Sequence, residues 1–299
     1  MNATLGLYGE KLWLLGDGRS GTTWVSDLIN VRRRYRELFE PFHPKIVPEA
    51  QSMEPGLYLR ESDQDHPILS FAEKVFCGKL WNARVDAENR IWLFRGLLVK
   101  DIFANLLARA VCVRIPRIRP VLLIRNPFAV ALSKQKKSNW FWLEDPLKLV
   151  AQQSLRNDFL QPYEEGIRRT VSQQDFILNQ ILIWCIFNVV PLRQFPASEL
   201  HYCFYEKLYA DPSEEVSRIM RFVTRRDELK IAIPEAVASR PSRVGGNDSR
   251  TSPLTSWKDE LPATTIDQGF ELMGMFGLAD LYADNAGPSA KTIEVLRHQ

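Results

Sequence analysis

Short apolar runs closed by glycine or proline alternate along the chain with stretches in which apolar residues recur every three or four positions. KLWLLGD (11–17) is such a run and predicts a buried strand. From Thr22 to about Arg33 the residues Trp24, Val25, Leu28 and Ile29 fall on one helical face. VLLIRN (121–126) predicts a second buried strand, and the PFAVALSKQKK that follows predicts a helix with Pro127 in its first turn. LHYCFYEKL (200–208) predicts a third strand. Behind Asp211-Pro212, the stretch 213–223 predicts an amphipathic helix with Val216, Ile219, Met220 and Val223 turned inward. FILNQILIWCIFNVV (176–190) is short for a bilayer and contains Asn179, Gln180 and Asn188, so it predicts a buried helix and no transmembrane segment. Strands alternating with helices imply an α/β fold: a P-loop-type parallel β-sheet flanked by helices on both faces.

No internal repeat, low-complexity tract or long Gly/Ser linker interrupts the pattern, which predicts one domain over residues 1–299. Residues 41–95 and 138–175 break the alternation with prolines, aromatics and charges. In an open α/β sheet the connecting loops build the substrate pocket, so these two excursions are assigned to acceptor recognition. The tail after Asp284 predicts a loosely docked end. Composition changes little in this picture: 299 residues, 45% hydrophobic and 25% charged, suffice for a sizeable core. Lys plus Arg (39) minus Asp plus Glu (36) gives +3, too mild for bulk nucleic-acid binding. Local clusters, Arg32-Arg33-Arg34 and Lys134, Lys136, Lys137, still favour an anionic ligand. The four cysteines form no CxxC pair, and Cys185 and Cys203 read as buried thiols, which suits a reducing compartment. The N-terminal residues show no signal-peptide pattern, and a cytoplasmic protein is expected.

The chemistry concentrates first in GDGRSGTTW (16–24). A strand, a glycine-rich turn and a helix N-terminus bring backbone N–H groups together at the positive end of a helix dipole, which suits an anion. Gly16 and Gly21 have the spacing of the usual nucleotide loop, but Thr22 stands where that loop requires lysine, and the cation comes earlier, at Arg19. The second strand ends in Arg125-Asn126, where an ATPase would place a metal-binding carboxylate. Both features count against a P-loop small-molecule kinase. Ser20, Gly21, Thr22 and Thr23 remain well placed to cradle a phosphate. Arg125, at a strand end, can make a two-pronged contact with a second phosphate, and Ser133 lies about two turns into the helix that follows.

These two segments resemble the donor-binding motifs of sulfotransferases, which use 3′-phosphoadenosine 5′-phosphosulfate (PAPS) and release 3′-phosphoadenosine 5′-phosphate (PAP). RSGTTW (19–24) resembles their 5′-phosphosulfate loop. Cytosolic members usually carry lysine at the position of Arg19, and many carbohydrate and tyrosylprotein members carry arginine. LIRNPFAVALSKQKK (123–137) resembles their 3′-phosphate segment, with Arg125 and Ser133 in the phosphate-binding positions. FEPFH (39–43) is similar to a segment of carbohydrate 6-O-sulfotransferases in which a glutamate acts as base.

The resemblance therefore implies a PAPS-dependent enzyme with a small-molecule or glycan hydroxyl acceptor, most similar to the carbohydrate sulfotransferases. Arg19 would stabilise the leaving group, aided by N–H groups from Ser20 to Trp24, and Glu40 would be the base without a metal. His43 is the rival base, because aryl and steroid members use a histidine, although in a different segment. His66 lies in the first excursion, and His201 reads as structural. Ion pairing of Glu40 with Arg33 or Arg36 is the alternative to a catalytic role. FYEKLYADPSEEVSRIMRFV (204–223) is similar to a late family segment and reads as scaffold. The family's Arg-Lys-Gly cap on the 3′-phosphate has no recognisable counterpart; Arg243 and Gly245 stand nearest its place. A nucleotide-binding protein of the same fold without transferase activity is the non-enzyme alternative. The resemblance touches most of the chain, while its specific motifs cover a minor part.

Overall fold

The apolar run beginning near residue 11 becomes the middle strand of a parallel sheet. The computed structural model describes residues 8–91, 93–137, 141–238, 254–282 and 288–298. Among these, β1 (Glu10–Gly16), β2 (Tyr35–Phe39), β3 (Gly96–Asp101), β4 (Ile118–Ile124) and β5 (His201–Phe204) form one sheet in the order β2-β3-β1-β4-β5. Every neighbouring pair is parallel. β1 runs from Glu10 opposite Gly96 to Leu15 opposite Asp101 on one side, and from Lys11 opposite Ile118 to Gly16 opposite Leu123 on the other. The chain passes from β1 outward through β2 to β3, then crosses back to β4 and β5. The order therefore reverses between β1 and β4, where open sheets leave a crevice at their carboxyl ends.

The helices that shape this crevice are α1 (Thr22–Ile29), α2 (Pro127–Gln135), α3 (Phe176–Gln194), α4 (Tyr205–Ala210) and α5 (Pro212–Thr224), with α6 (Ala290–Arg297) at the end of the chain. Alternation along β1 divides the core. Leu12 and Leu14 join Leu98, Val121 and Leu123 against Trp24, Val25 and Leu28 of α1 and Val216, Ile219 and Met220 of α5. Trp13 and Leu15 face the other layer with Leu97, Val99, Leu122 and the apolar side chains of α2 and α3. The expected α/β architecture, with helices on both faces, is thus present. α3 is long and apolar enough to cross a membrane by length and composition, but 83% of its apolar window is buried inside the protein. Cys185 and Cys203 are buried free thiols.

Three expectations are corrected. The third strand ends at Phe204, and α4 starts at Tyr205, because YEKLYA is made of residues that tolerate a helix and Tyr205 is drawn into the core beside Trp24. The chain end does not hang loosely: over 288–298, α6 buries Ile293 and Leu296, and Arg297 Nη2 donates to the Leu200 carbonyl at 2.9 Å. Lys134 is not part of a surface cluster with Lys136 and Lys137. It is 1% exposed, whereas Lys136 pairs with Glu260 at the surface.

Candidate active site

The loop after β1 is shaped by its glycines. A Cβ at Gly16 would lie 2.8 Å from Thr22 Cγ2 and 3.2 Å from the Leu123 carbonyl oxygen. At Gly21, φ is 91°, and a Cβ there would come within 2.5 Å of the Tyr205 ring. Both ends of the loop therefore need glycine, one for close approach and one for a left-handed backbone. Between them Arg19 also has a left-handed backbone, φ 70°, an uncommon state for a side-chain-bearing residue and one often found at functional sites. The Ser20 N–H donates to the Asp17 carbonyl at 3.1 Å. Ser20 Oγ is buried without a hydrogen-bond partner among the described residues. No side chain caps α1, and no acidic residue occupies its first turn, so its N-terminal N–H groups remain available to an anion. Thr22 is buried and Thr23 half-buried. Trp24 is 2% exposed, packed edge-on to Tyr205 in the layer beneath the loop, so its backbone serves the loop and its ring serves the core.

The turn after β4 meets this loop. Asn126 caps α2 by accepting from the N–H groups of Phe128 (3.0 Å) and Ala129 (3.2 Å), with Pro127 at the first helical position. That cap holds Arg125 at the strand end. Arg125 Nη1 donates to the Arg19 carbonyl at 3.0 Å, and its guanidinium lies 4.3 Å from the Tyr205 ring centre. Trp184 Nε1 holds the Arg125 carbonyl at 2.9 Å. Arg19 Nε donates to Ser133 Oγ at 2.9 Å. Arg19, Arg125 and Ser133 are therefore brought together across 114 positions of sequence. Burial, and then the charge of Arg125, lower the pKa of Arg19, the signature of two cations converging on one place. Glu206 supports the turn from behind. Its carboxylate accepts the Asn126 N–H at 2.8 Å and the Tyr282 hydroxyl at 3.2 Å, and burial pushes its pKa up. Arg243 and Gly245 lie outside the described residues.

Glu40 lies two strands away, at the carboxyl end of β2. Its backbone is left-handed (φ 49°), its N–H donates to the Lys100 carbonyl at 2.7 Å, and its carboxylate is paired with Lys100 Nζ at the end of β3. The two side chains are nearly enclosed, at 9% and 2% exposure. Neither Arg33 nor Arg36 is its partner: Arg36 pairs with Asp86, and Arg33 faces Asp27, Glu37 and Glu88. His43 stacks on Phe141 and packs edge-on to Phe103, and its Nδ1 accepts the Lys45 N–H at 3.2 Å. Burial lowers its pKa despite the nearby Glu40 charge, so it is neutral at neutral pH. His66 is set apart, capping the helix Pro67–Phe76. His201, in β5, is half-buried, with its pKa lowered to about 4, first by desolvation and then by Arg218 and Arg297. Between the loops after β1 and β3 lies a small cavity where the two excursions converge. Pro55 comes from the first excursion, Trp142 and Leu143 from the second, and they face Asp17, Gly18 and Phe103.

Sequence reasoning missed Lys100 and Asp101. The signal was the charge pair that closes the otherwise apolar GLLVKD. Asp101 is fully buried and ties the two neighbouring turns, accepting from the N–H groups of Phe42 (3.0 Å) and Phe103 (2.7 Å). Burial raises its pKa from 3.8 to about 7. Between those values the folded chain holds a proton that the unfolded chain has lost, so this group's stabilising share falls as pH rises from about 4 to about 7. We expect Asp101→Asn to lose that slope. Urea unfolding at both ends of the window checks this, and a variant that keeps the wild-type pH dependence refutes it.

The model of the family described as "Sulfotransferase domain" matches residues 9–237 of the chain. No curated protein sequence matches at a significant level. Among solved structures, the chain is similar to a sulfotransferase from Alicyclobacillus acidocaldarius, with a TM-score of 0.49 and 14% identity over 98% of this chain and 97% of that one. It is also similar to the sulfotransferase domain of the Synechococcus PCC 7002 olefin synthase, with a TM-score of 0.44 and 15% identity over 90% and 94%. A third is the mouse sulfotransferase SULT7A1 complexed with PAP, with a TM-score of 0.41 and 12% identity over 99% and 93%.

Proposed function

This chain belongs to the sulfotransferase family, and on that premise we propose that it moves a sulfuryl group from PAPS to a hydroxyl of a carbohydrate or glycolipid acceptor. The observation that carries the reading is the meeting of Arg19, Arg125 and Ser133 where the loop after β1 touches α2. An adenosine carrying phosphates at both the 3′ and 5′ positions presents two anions, and this crevice offers two cationic stations side by side. The N–H groups of Gly21, Thr22, Thr23 and Trp24, with the Ser20 hydroxyl, unpartnered among the described residues, would hold the 5′ end. Arg125 and Ser133 would hold the 3′-phosphate.

The donor supplies an activated sulfur whose bond to the bridging phosphate oxygen breaks as the acceptor oxygen bonds to it. The chain's residues have three tasks in that exchange. Arg19 neutralises the charge gathering on the bridging oxygen. Glu40 takes the acceptor's hydroxyl proton. The two excursions, 41–95 and 138–175, hold the acceptor between them, in line with the bond that breaks; what supports this is that Pro55 of the first and Trp142 and Leu143 of the second meet beside Gly18 of the anion loop. The whole chain is read as one sulfotransferase domain.

Calorimetric titration of the purified protein with PAP, and separately with ATP and magnesium, tests the reading. PAP should bind and ATP should not; the reverse would make this a variant ATP loop and overturn it. Arg125→Ala should weaken PAP about tenfold or more, because a charge-assisted contact is worth about 1.5–3 kcal/mol. Unchanged affinity would refute the 3′-phosphate assignment.

A further inference from the structure

Lys134 follows Ser133 on α2, and its ammonium is buried. Such a group persists only where its three donors are satisfied. Here they are: Nζ lies 2.7 Å from each carboxylate oxygen of Asp17 and 2.9 Å from Gln180 Oε1. Asp17 opens the anion loop and is itself 3% exposed. Gln180, from α3, is fully buried and passes the chain of bonds on, donating from Nε2 to the Leu143 carbonyl at 3.0 Å. One buried network thus joins the loop after β1, helix α2, helix α3 and the second excursion.

Two rungs connect the loop to α2. Asp17 meets Lys134, and two residues on, Arg19 meets Ser133. The second rung is half-buried and uses the groups assigned above to the donor. The donor must compete for it. The first rung is buried and stays made when the second opens. Buried ion pairs are weak contributors to stability, since apolar pairs of like volume often serve as well. Their better-supported use is to fix one arrangement against others. We propose that Asp17 and Lys134 are positioning residues: their ion pair clamps the anion loop onto α2 in its donor-accepting shape, and Gln180 ties that shape to the acceptor cleft through Leu143. The inference rests on the donor site proposed above.

The test removes both charges together, since either single neutralisation leaves a buried charge alone and destabilises the fold. Asp17→Asn/Lys134→Met should keep a melting temperature close to wild type. It should bind PAP about tenfold or more weakly, because a loop no longer held in its binding shape must be ordered by the ligand. Hydrogen exchange of the ligand-free protein gives a second reading. Wild-type Ser20 should exchange slowly, and the double variant should exchange its loop amides about tenfold faster. Wild-type PAP affinity and wild-type loop exchange in the double variant would overturn the clamp. So would a wild-type loop that exchanges like an unfolded peptide, which needs no variant to fold. A wild-type protein that binds no PAP overturns the donor site instead, and the exchange comparison then decides the clamp alone.

Discussion

Arg19→Ala is expected to lower kcat for sulfuryl transfer by about 10²–10³-fold, the usual cost of removing one preorganised donor to developing charge. The loop should survive the change. Its shape rests on Gly16, Gly21 and the proposed Asp17–Lys134 clamp, none of which the change touches, and the contact that Arg125 makes with residue 19 is to the backbone carbonyl, which alanine keeps. What alanine removes is the guanidinium and its bond to Ser133. The ground state and the product also carry charge at the 5′ position, so PAP affinity should fall too, but by less than kcat. Arg19→Lys is the sharper companion. It restores a cation without the planar fork, and the resemblance to cytosolic members, which use lysine here, leads us to expect activity within about tenfold of wild type. Single-turnover measurement at saturating donor separates these effects. A kcat for Arg19→Ala within tenfold of wild type would remove Arg19 from the leaving-group role.

The meeting of the loop after β1 with the turn after β4, proposed above as the donor site, was easier to anticipate from sequence because both motifs are local. GDGRSGTTW carries its own glycines, hydroxyls and cation, and VLLIRNPF carries a strand, an arginine and a helix start within eight residues. What sequence could not supply were pairings across the sheet. β2 escaped notice because Arg36 and Glu37 interrupt its apolar pattern. Both are buried by distant partners: the Gly78 and Leu80 carbonyls and Asp86 for Arg36, Ser26 for Glu37. β3 was lost at the edge of an excursion. Once β2 and β3 pair in parallel, Phe39 stands opposite Lys100, and the partner of Glu40 follows from that register, not from the nearby arginines. Lys134 shows the same limit. Beside Lys136 and Lys137 it reads as a solvated charge, and only the packing of α2 against α3 reveals Gln180 and Asp17 waiting for it.

The same register decides how Glu40 should be tested. Glu40→Gln is expected to lower kcat by about 10²–10⁴-fold, the range for losing a general base, while PAP binds as in wild type because the donor contacts lie two strands away. Glutamine is the informative replacement. Its amide oxygen can still accept from Lys100 Nζ, so the buried ammonium loses its counter-charge but keeps a hydrogen bond, and a melting temperature measured beside kcat separates the remaining folding cost from the catalytic one. Glu40→Ala would remove both, and the about 3–5 kcal/mol that follows from breaking a buried pair would mix a folding defect with a catalytic one. His43→Ala supplies the contrast. That imidazole is neutral, engaged at Nδ1 by the Lys45 N–H and walled by Phe103 and Phe141, so its loss should cost less than about tenfold in kcat. Full activity in Glu40→Gln would end the carboxylate's claim to the proton. If His43→Ala were then the inactive variant, the base would be the histidine, and the Glu40–Lys100 pair would be a strut that sets the turn on which His43 stands.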